Sequence, residues 1–246
     1  MYLTRMRPEE IRQAVNNNVP ALLAAGVVEY HGPHLPVGTD ILIAESICEE
    51  VERRCGCVVA PSLPYGPTMM WAGGPEEGEI DFAPDPLFRY AKEMLRGLTA
   101  IGFKRVYILQ HHAGPEGLQR LCLKRAAAEI MREETAGWGA GWGRTPKDAF
   151  PNPDIFHRIR VADLDDFSDY PEDSRERIPV GHAGKGETQL IMAAAPDTVD
   201  LQALACWKEE LRPLWLRDAS EATMEEGKRW FEFCVQGWVR ELSGNG

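Results

Sequence analysis

The sequence has 246 residues, 44% of them hydrophobic and 26% charged, with a formal charge of −11. This is the composition of a globular chain long enough to bury a sizeable core. Its acidity, with no Lys/Arg run, argues against a nucleic-acid binder, and no stretch approaches the roughly 18 apolar residues of a membrane span. No apolar run follows the positive charges of the opening MYLTRMRPEEIRQAV, so a cytoplasmic protein without a secretory leader is expected. The six cysteines are scattered, and Cys55 and Cys57 form C-x-C rather than the C-x-x-C of a zinc ribbon, so reduced structural thiols are expected.

In chain order, Pro8 to Val15 predicts a short helix opened by proline. The apolar run Val19 to Val28 predicts a buried strand, broken by Gly and Pro after Glu29. Asp40 stands where a helix cap belongs, ahead of a helix from Ile41 to Arg54 with an apolar stripe through Ile41, Ala44, Ile47, Cys48 and Val51. Cys57 to Leu63 predicts a second strand. Residues 64 to 84 are rich in Gly and Pro and predict a long loop, with a short strand at Glu79 to Phe82. Pro86 to Ile101 predicts an amphipathic helix ended by Gly102, Arg105 to Leu109 a third strand, and Pro115 a helix opening that runs to about Thr135. Residues 158 to 162 predict another strand after an irregular stretch, and residues 163 to 176 an acidic loop. Helices follow at Glu187 to Ala195 and Asp218 to Leu242. Strands alternating with helices predict an α/β fold with a mostly parallel sheet covered on both faces, whose ligands bind beyond the carboxyl ends of the strands. No repeat, low-complexity tract or linker divides residues 1–246, so one domain is expected.

Five of the six histidines, His31, His34, His111, His112 and His182, fall in three short glycine-containing segments, two of which follow strand ends. If Glu29 ends its strand, Glu29 and His31 point to the same side at period two, and the turn through Pro33 to Gly38 can return Asp40 beside them. Taken singly, each residue has an ordinary explanation: a solvated strand-end Glu, a helix-capping Asp, a hydrogen-bonded loop His. Together behind a buried strand they point to a cation, because burying these charges without one is very costly. Carboxylates mixed with imidazoles suit Zn²⁺, Mn²⁺ or Fe²⁺ and not the all-oxygen sphere of Ca²⁺.

The segment Gly26-Val27-Val28-Glu29-Tyr30-His31-Gly32-Pro33-His34-Leu35-Pro36-Val37-Gly38-Thr39-Asp40 resembles the signature of the creatininase (creatinine amidohydrolase) family, roughly G-S/T-x-E-Q-H-G-P-H-L-P-x-x-T-D. Tyr30 replaces the usual Gln, and Val27 the usual Ser or Thr. Gln110 to Pro115 corresponds to the family's N-G-H-G-G-N and places His112 on the ligand histidine. Creatininase itself carries a metal-binding Glu two residues after that histidine, where this chain has Gly114. Gly181-His182-Ala183-Gly184-Lys185-Gly186-Glu187-Thr188 resembles G-H-A-G-x-x-E-T, in which the His is tied to proton transfer and the Glu lies at the metal centre.

The resemblance runs from about residue 20 to 200. It implies a three-layer α/β/α fold, often in a homohexamer, with Glu29, His31, Asp40, His112 and Glu187 on divalent ions, two per subunit and Zn, Mn or Fe. His182 and Glu187 would be catalytic, and Asp40 would bridge the ions. The loop after the second strand departs most from the family. Glu79 stands where Thr is usual and Asp81 where Ser is usual, so Glu79, Asp81 and Trp71 are candidate substrate contacts, with Trp138 and Trp142 as further aromatic candidates. His34 is expected to support a ligand, His111 to point away, and Trp215 to lie in the core or a subunit interface.

The expected activity is attack by a metal-held hydroxide on an amide or cyclic-amide carbonyl of a small polar molecule, with creatinine itself disfavoured. Two alternatives stand beside it: ring opening of an oxidised inositol (an inosose-type ketone), for which acidic Glu79 and Asp81 would bind hydroxyls, and a non-catalytic metal-binding scaffold. The expected partners are a small-molecule substrate and further copies of the chain, with no nucleic acid or membrane.

Overall fold

The computed structural model describes residues 1–141, 143–150, 154–171, 177–178, 181–208 and 211–244. Trp142 and residues 172–176 of the acidic segment lie outside them. The principal elements are α1 (Pro8–Asn16), β1 (Ala21–Ala25), α2 (Thr39–Cys55), β2 (Val58–Val59), α3 (Pro84–Ile101), β3 (Val106–Gln110), α4 (Leu118–Thr135), β4 (Ile159–Ala162), α5 (Lys185–Ala194) and α6 (Met224–Ser243). The four strands form one parallel sheet in the order β2-β1-β3-β4, with Ala21 opposite Val106 and Ala25 opposite Gln110 at its centre.

Every residue of β1 and β3 is buried, as expected for central strands covered on both sides. Alternation divides them between two cores. Leu22, Ala24, Tyr107 and Leu109 pack with residues of α2, α5 and α6, including Ile43, Ile47, Leu190, Trp230 and Trp238. Leu23, Ala25, Val106 and Ile108 face the opposite way, onto Ala14 of α1 and Leu95, Leu98, Leu123 and Ile130 of α3 and α4. This is the three-layer α/β/α architecture. The six cysteines are free thiols, and among the described residues no helix is long and apolar enough to cross a membrane.

Several boundaries differ from the sequence reading. The second strand is only two residues long. Ala60 N still donates to the Leu22 carbonyl, but the next amide to reach β1 is Leu63 N on the Ala24 carbonyl, one residue out of step, and the pairing resumes only as the single Ala25–Leu63 bridge. The expected strand at Glu79 to Phe82 does not form, because its amides bond two unrelated segments: Ile80 N donates to the Val28 carbonyl and Phe82 N to that of Gly66. Asp40 is not the cap of α2. Gly38 holds that position and Asp40 lies inside the first turn, which frees its carboxylate for the site described below. Helix α4 begins at Leu118 rather than Pro115, and α6 at Met224 with Thr223 as its cap.

The end of β1 is set by a close approach. A Cβ on Gly26 would lie 2.5 Å from Ile41 N and 2.7 Å from Ile41 Cα. Only glycine lets the strand end touch the first turn of α2, which carries Asp40. Gly26→Ala is therefore expected to push α2 outward, costing about 1–3 kcal/mol as overpacking does, and to weaken metal binding through Asp40. Thermal melting and metal content per subunit check this; unchanged values for both would refute it.

Candidate metal centre

The site lies beyond the carboxyl ends of β1 and β3. The loop after β1 supplies Glu29 and His31, the first turn of α2 Asp40, and the end of β3 His111 and His112. The segment entering α5 supplies His182 and Glu187. Helix N-termini favour carboxylates near them, and both Asp40 and Glu187 stand in first turns. Glu29 and His31 lie past the end of β1, so the loop and not the strand pleat brings them together.

Three imidazoles are each held at one nitrogen by a backbone carbonyl. His31 Nδ1 lies 3.0 Å from the Glu29 carbonyl oxygen, His112 Nε2 3.0 Å from that of Pro67, and His182 Nε2 2.8 Å from that of Tyr30. A carbonyl only accepts, so each of these nitrogens carries the proton and donates. The opposite nitrogen is bare in the neutral ring, and in all three it faces carboxylates. His112 Nδ1 is 3.0 Å from Asp40 Oδ2 and 3.3 Å from Glu29 Oε2. His31 Nε2 is 3.3 Å from both Asp40 Oδ1 and Glu187 Oε2. His182 Nδ1 is 3.7 Å from Glu29 Oε2. The two oxygens of Asp40 thus face different imidazoles, as a bridging carboxylate requires.

Glu29, His31, Asp40, His112 and Glu187 are all buried, and such a concentration of carboxylate charge demands compensating positive charge. Burial alone would pull the His31 pKa down, but the fields of Glu187 and Asp40 carry it well above the usual histidine value. Burial likewise opposes protonation of His112, and Asp40 and Glu29 raise its pKa to about 10. Burial pushes the Asp40 carboxyl up, yet the neighbouring His31 and His112 bring it down to about 2. A divalent ion meets the same demand. The residues fit one: Glu29, Asp40 and His112 converge in one triad, His31, Asp40 and Glu187 in a second, and Glu29, His31 and His182 in a third. His31 Nε2 is buried with no hydrogen-bond partner. The nitrogen-and-oxygen donor set suits Zn²⁺, Mn²⁺ or Fe²⁺, and the carbonyls behind the imidazoles are the partners that orient ligand histidines.

His34 supports this frame. Its Nε2 lies 2.9 Å from Thr188 Oγ1, which donates to the Ala183 carbonyl at 3.2 Å. This chain ties the first motif to the turn that carries His182 and Glu187. Burial, reinforced by the nearby His31, holds the His34 pKa down at about 4, so the ring is neutral.

A cavity of about 710 Å³ opens over the cluster, with Thr68, Met69, Trp71, Ile178, Arg177 and Trp215 among its walls. Two expected substrate contacts are corrected here. Glu79 is buried behind the loop, accepting from Thr68 Oγ1 at 2.6 Å and Tyr30 N at 3.3 Å. Asp81 accepts from the amides of Thr68 and Met69 at 2.9 and 3.1 Å. Neither lines the cavity; both hold the loop that does. Trp71 does line it, 80% exposed at the mouth. Trp138 stacks on Phe150 instead, with ring centroids 4.4 Å apart. Two residues that the sequence reading placed elsewhere line the cavity. His111 does not point away: β3 ends at Gln110, so strand alternation no longer governs it, and its Nε2 lies 3.0 Å from Glu187 Oε1. Trp215 stands edge-on to His182 with centroids 4.9 Å apart, brought in from a remote C-terminal turn that no local pattern marks.

A family model described as creatinine amidohydrolase matches residues 4–242. The chain belongs to the creatininase family. It is similar to a creatinine amidohydrolase of Pseudomonas putida, 25% identical over 241 residues, covering 88% of this chain and 85% of that protein. It is also similar to a mycofactocin precursor peptide peptidase of Mycolicibacterium smegmatis, 28% identical over 247 residues, covering 91% and 84%. A solved creatininase described with Mn superposes with a TM-score of 0.74 at 22% identity over 98% of this chain and 96% of that one, a likeness of fold. Membership in the creatininase family makes the protein a hydrolase, and its buried residue groups could hold a metal ion.

Proposed function

We propose that this creatininase-family protein hydrolyses a peptide-like amide with two divalent ions. The observation that carries the reading is the set of three carbonyl-pinned imidazoles whose bare nitrogens converge on three buried carboxylates beneath a large cavity. Glu29, Asp40 and His112 would hold one ion and His31, Asp40 and Glu187 the other. Ions bound there lower the pKa of water and polarise a carbonyl oxygen. His182, protonated at Nε2 by its bond to Tyr30, offers Nδ1 to the cavity as a base. It takes a proton from the attacking water and returns it to the leaving amide nitrogen. Trp215, packed edge-on against His182, fixes the ring and keeps bulk water from that side.

The relatives named as an amidohydrolase and as a peptidase support a C–N bond as the target. The cavity volume favours a substrate larger than a single small ring, since pockets of 300–1,000 Å³ accommodate drug-sized ligands. Glu79 and Asp81 face the loop interior, so the hydroxyl contacts that motivated the inosose reading are missing. The complete donor set speaks against an inert scaffold. The test is amine release from creatinine, lactams, formamides and short peptides, before and after chelation. Peptide-like amides are expected to turn over best, with a loss of about 10³-fold or more on chelation, reversed by Zn²⁺ or Mn²⁺. Turnover indifferent to chelation would refute the metal reading, and creatinine as the best substrate would refute the substrate class.

A further inference from the structure

The second motif differs from the family pattern in a paired way. Gly114, two residues after His112, lies on the cavity with φ +64°, and a Cβ built there meets nothing within 4 Å. No side chain enters the cluster from this position. One residue before His112, where the family pattern has glycine, stands His111. Its amide still donates to the Ala25 carbonyl at 3.0 Å, which anchors its backbone to the end of the sheet. Its Nε2 lies 3.0 Å from Glu187 Oε1 and 3.9 Å from Asp40 Oδ1. The other Glu187 oxygen and the same Asp40 oxygen each lie 3.3 Å from His31 Nε2, the buried nitrogen without a hydrogen-bond partner. The carboxylates of Asp40 and Glu187 are therefore approached by two imidazoles, His31 and His111.

We propose that His111 is a metal ligand, the fourth protein donor to the ion held by His31, Asp40 and Glu187. This rests on the two-ion reading above. Two imidazoles with two carboxylates form a more nitrogen-rich sphere than one imidazole would give. Such a sphere favours Zn²⁺ over Mn²⁺, because imidazole suits zinc while carboxylate and water suit manganese. A role limited to orienting Glu187 would instead need only a hydrogen-bond donor at this position.

His111→Gln separates the two roles, since glutamine keeps a donor for Glu187 but is a poor metal ligand. The protein is loaded with Zn²⁺, Mn²⁺ or Co²⁺, dialysed, and assayed for metal per subunit and for the visible absorption of bound Co²⁺. The wild type is expected to hold two ions. The variant is expected to bind one of them at least about 100-fold more weakly, to lose preference for Zn²⁺ over Mn²⁺ at that site, and to show an altered Co²⁺ spectrum. X-ray absorption of the wild-type zinc protein tests the same point without a variant: three imidazoles shared over two ions are expected, against two if His111 is not bound. Two ions in the variant with unchanged affinity and spectrum, or two imidazoles in the wild type, would overturn the assignment and leave the two-ion site standing. A wild type that binds no divalent ion would overturn both.

Discussion

Asp40→Ala is expected to remove both ions and the activity together. Its two oxygens face separate imidazoles, Oδ1 at 3.3 Å from His31 and Oδ2 at 3.0 Å from His112, and it is the one side chain common to the two triads proposed above to hold the ions. Without it the first ion keeps only Glu29 and His112, and the second loses the oxygen that Asp40 shares between the two sites, leaving Glu187 and His31 with His111 beside them. Lewis-acid stabilisation of a carbonyl transition state is worth several kcal/mol, so kcat/KM is expected to fall about 10³–10⁴-fold. Elemental analysis of the purified variant, beside its circular dichroism, checks the result. Full metal content would show that Asp40 does not bridge.

His182→Ala is expected to do the opposite, leaving metal in place while lowering kcat by about 10²–10⁴-fold, the usual contribution of a general acid–base. The two triads assigned to the ions do not contain His182, and its Nδ1 stands farther from Glu29, at 3.7 Å, than His112 does. Its ring is half-buried between His31 and Trp215, so removing it also opens the cavity wall, and the melting temperature should be recorded. Loss of an ion in this variant would make His182 a ligand, consistent with its place near Glu29 and His31. An unchanged kcat would reduce it to a packing residue.

Much of the site was legible in the sequence because its chemistry is carried by short, glycine-punctuated segments. Glu29, His31, Asp40, His112, His182 and Glu187 lie together in the structure. The errors came where a residue's direction depends on the packing of distant segments. Glu79 and Asp81 look available along the chain, yet the loop folds back so that both are consumed by Thr68, Met69 and Tyr30. His111 is expected from the sequence to point away, but β3 stops one residue before it and its ring turns to Glu187.

The sequence alone determined the layering and most of the candidate donors. Continuous apolar runs specify central parallel strands, amphipathic stretches specify the helices that cover them, and residue type decides which side chains can bind a cation. Only the tertiary structure decided which candidate donors lie side by side, which nitrogen of each histidine is bare, and what forms the cavity wall. Those properties depend on contacts between residues as far apart as Asp40 and His112, His111 and Glu187, or His182 and Trp215. The hydrogen-bonding carbonyl that sets a histidine's proton, and the strand end that sets its direction, come from elements that no local pattern connects.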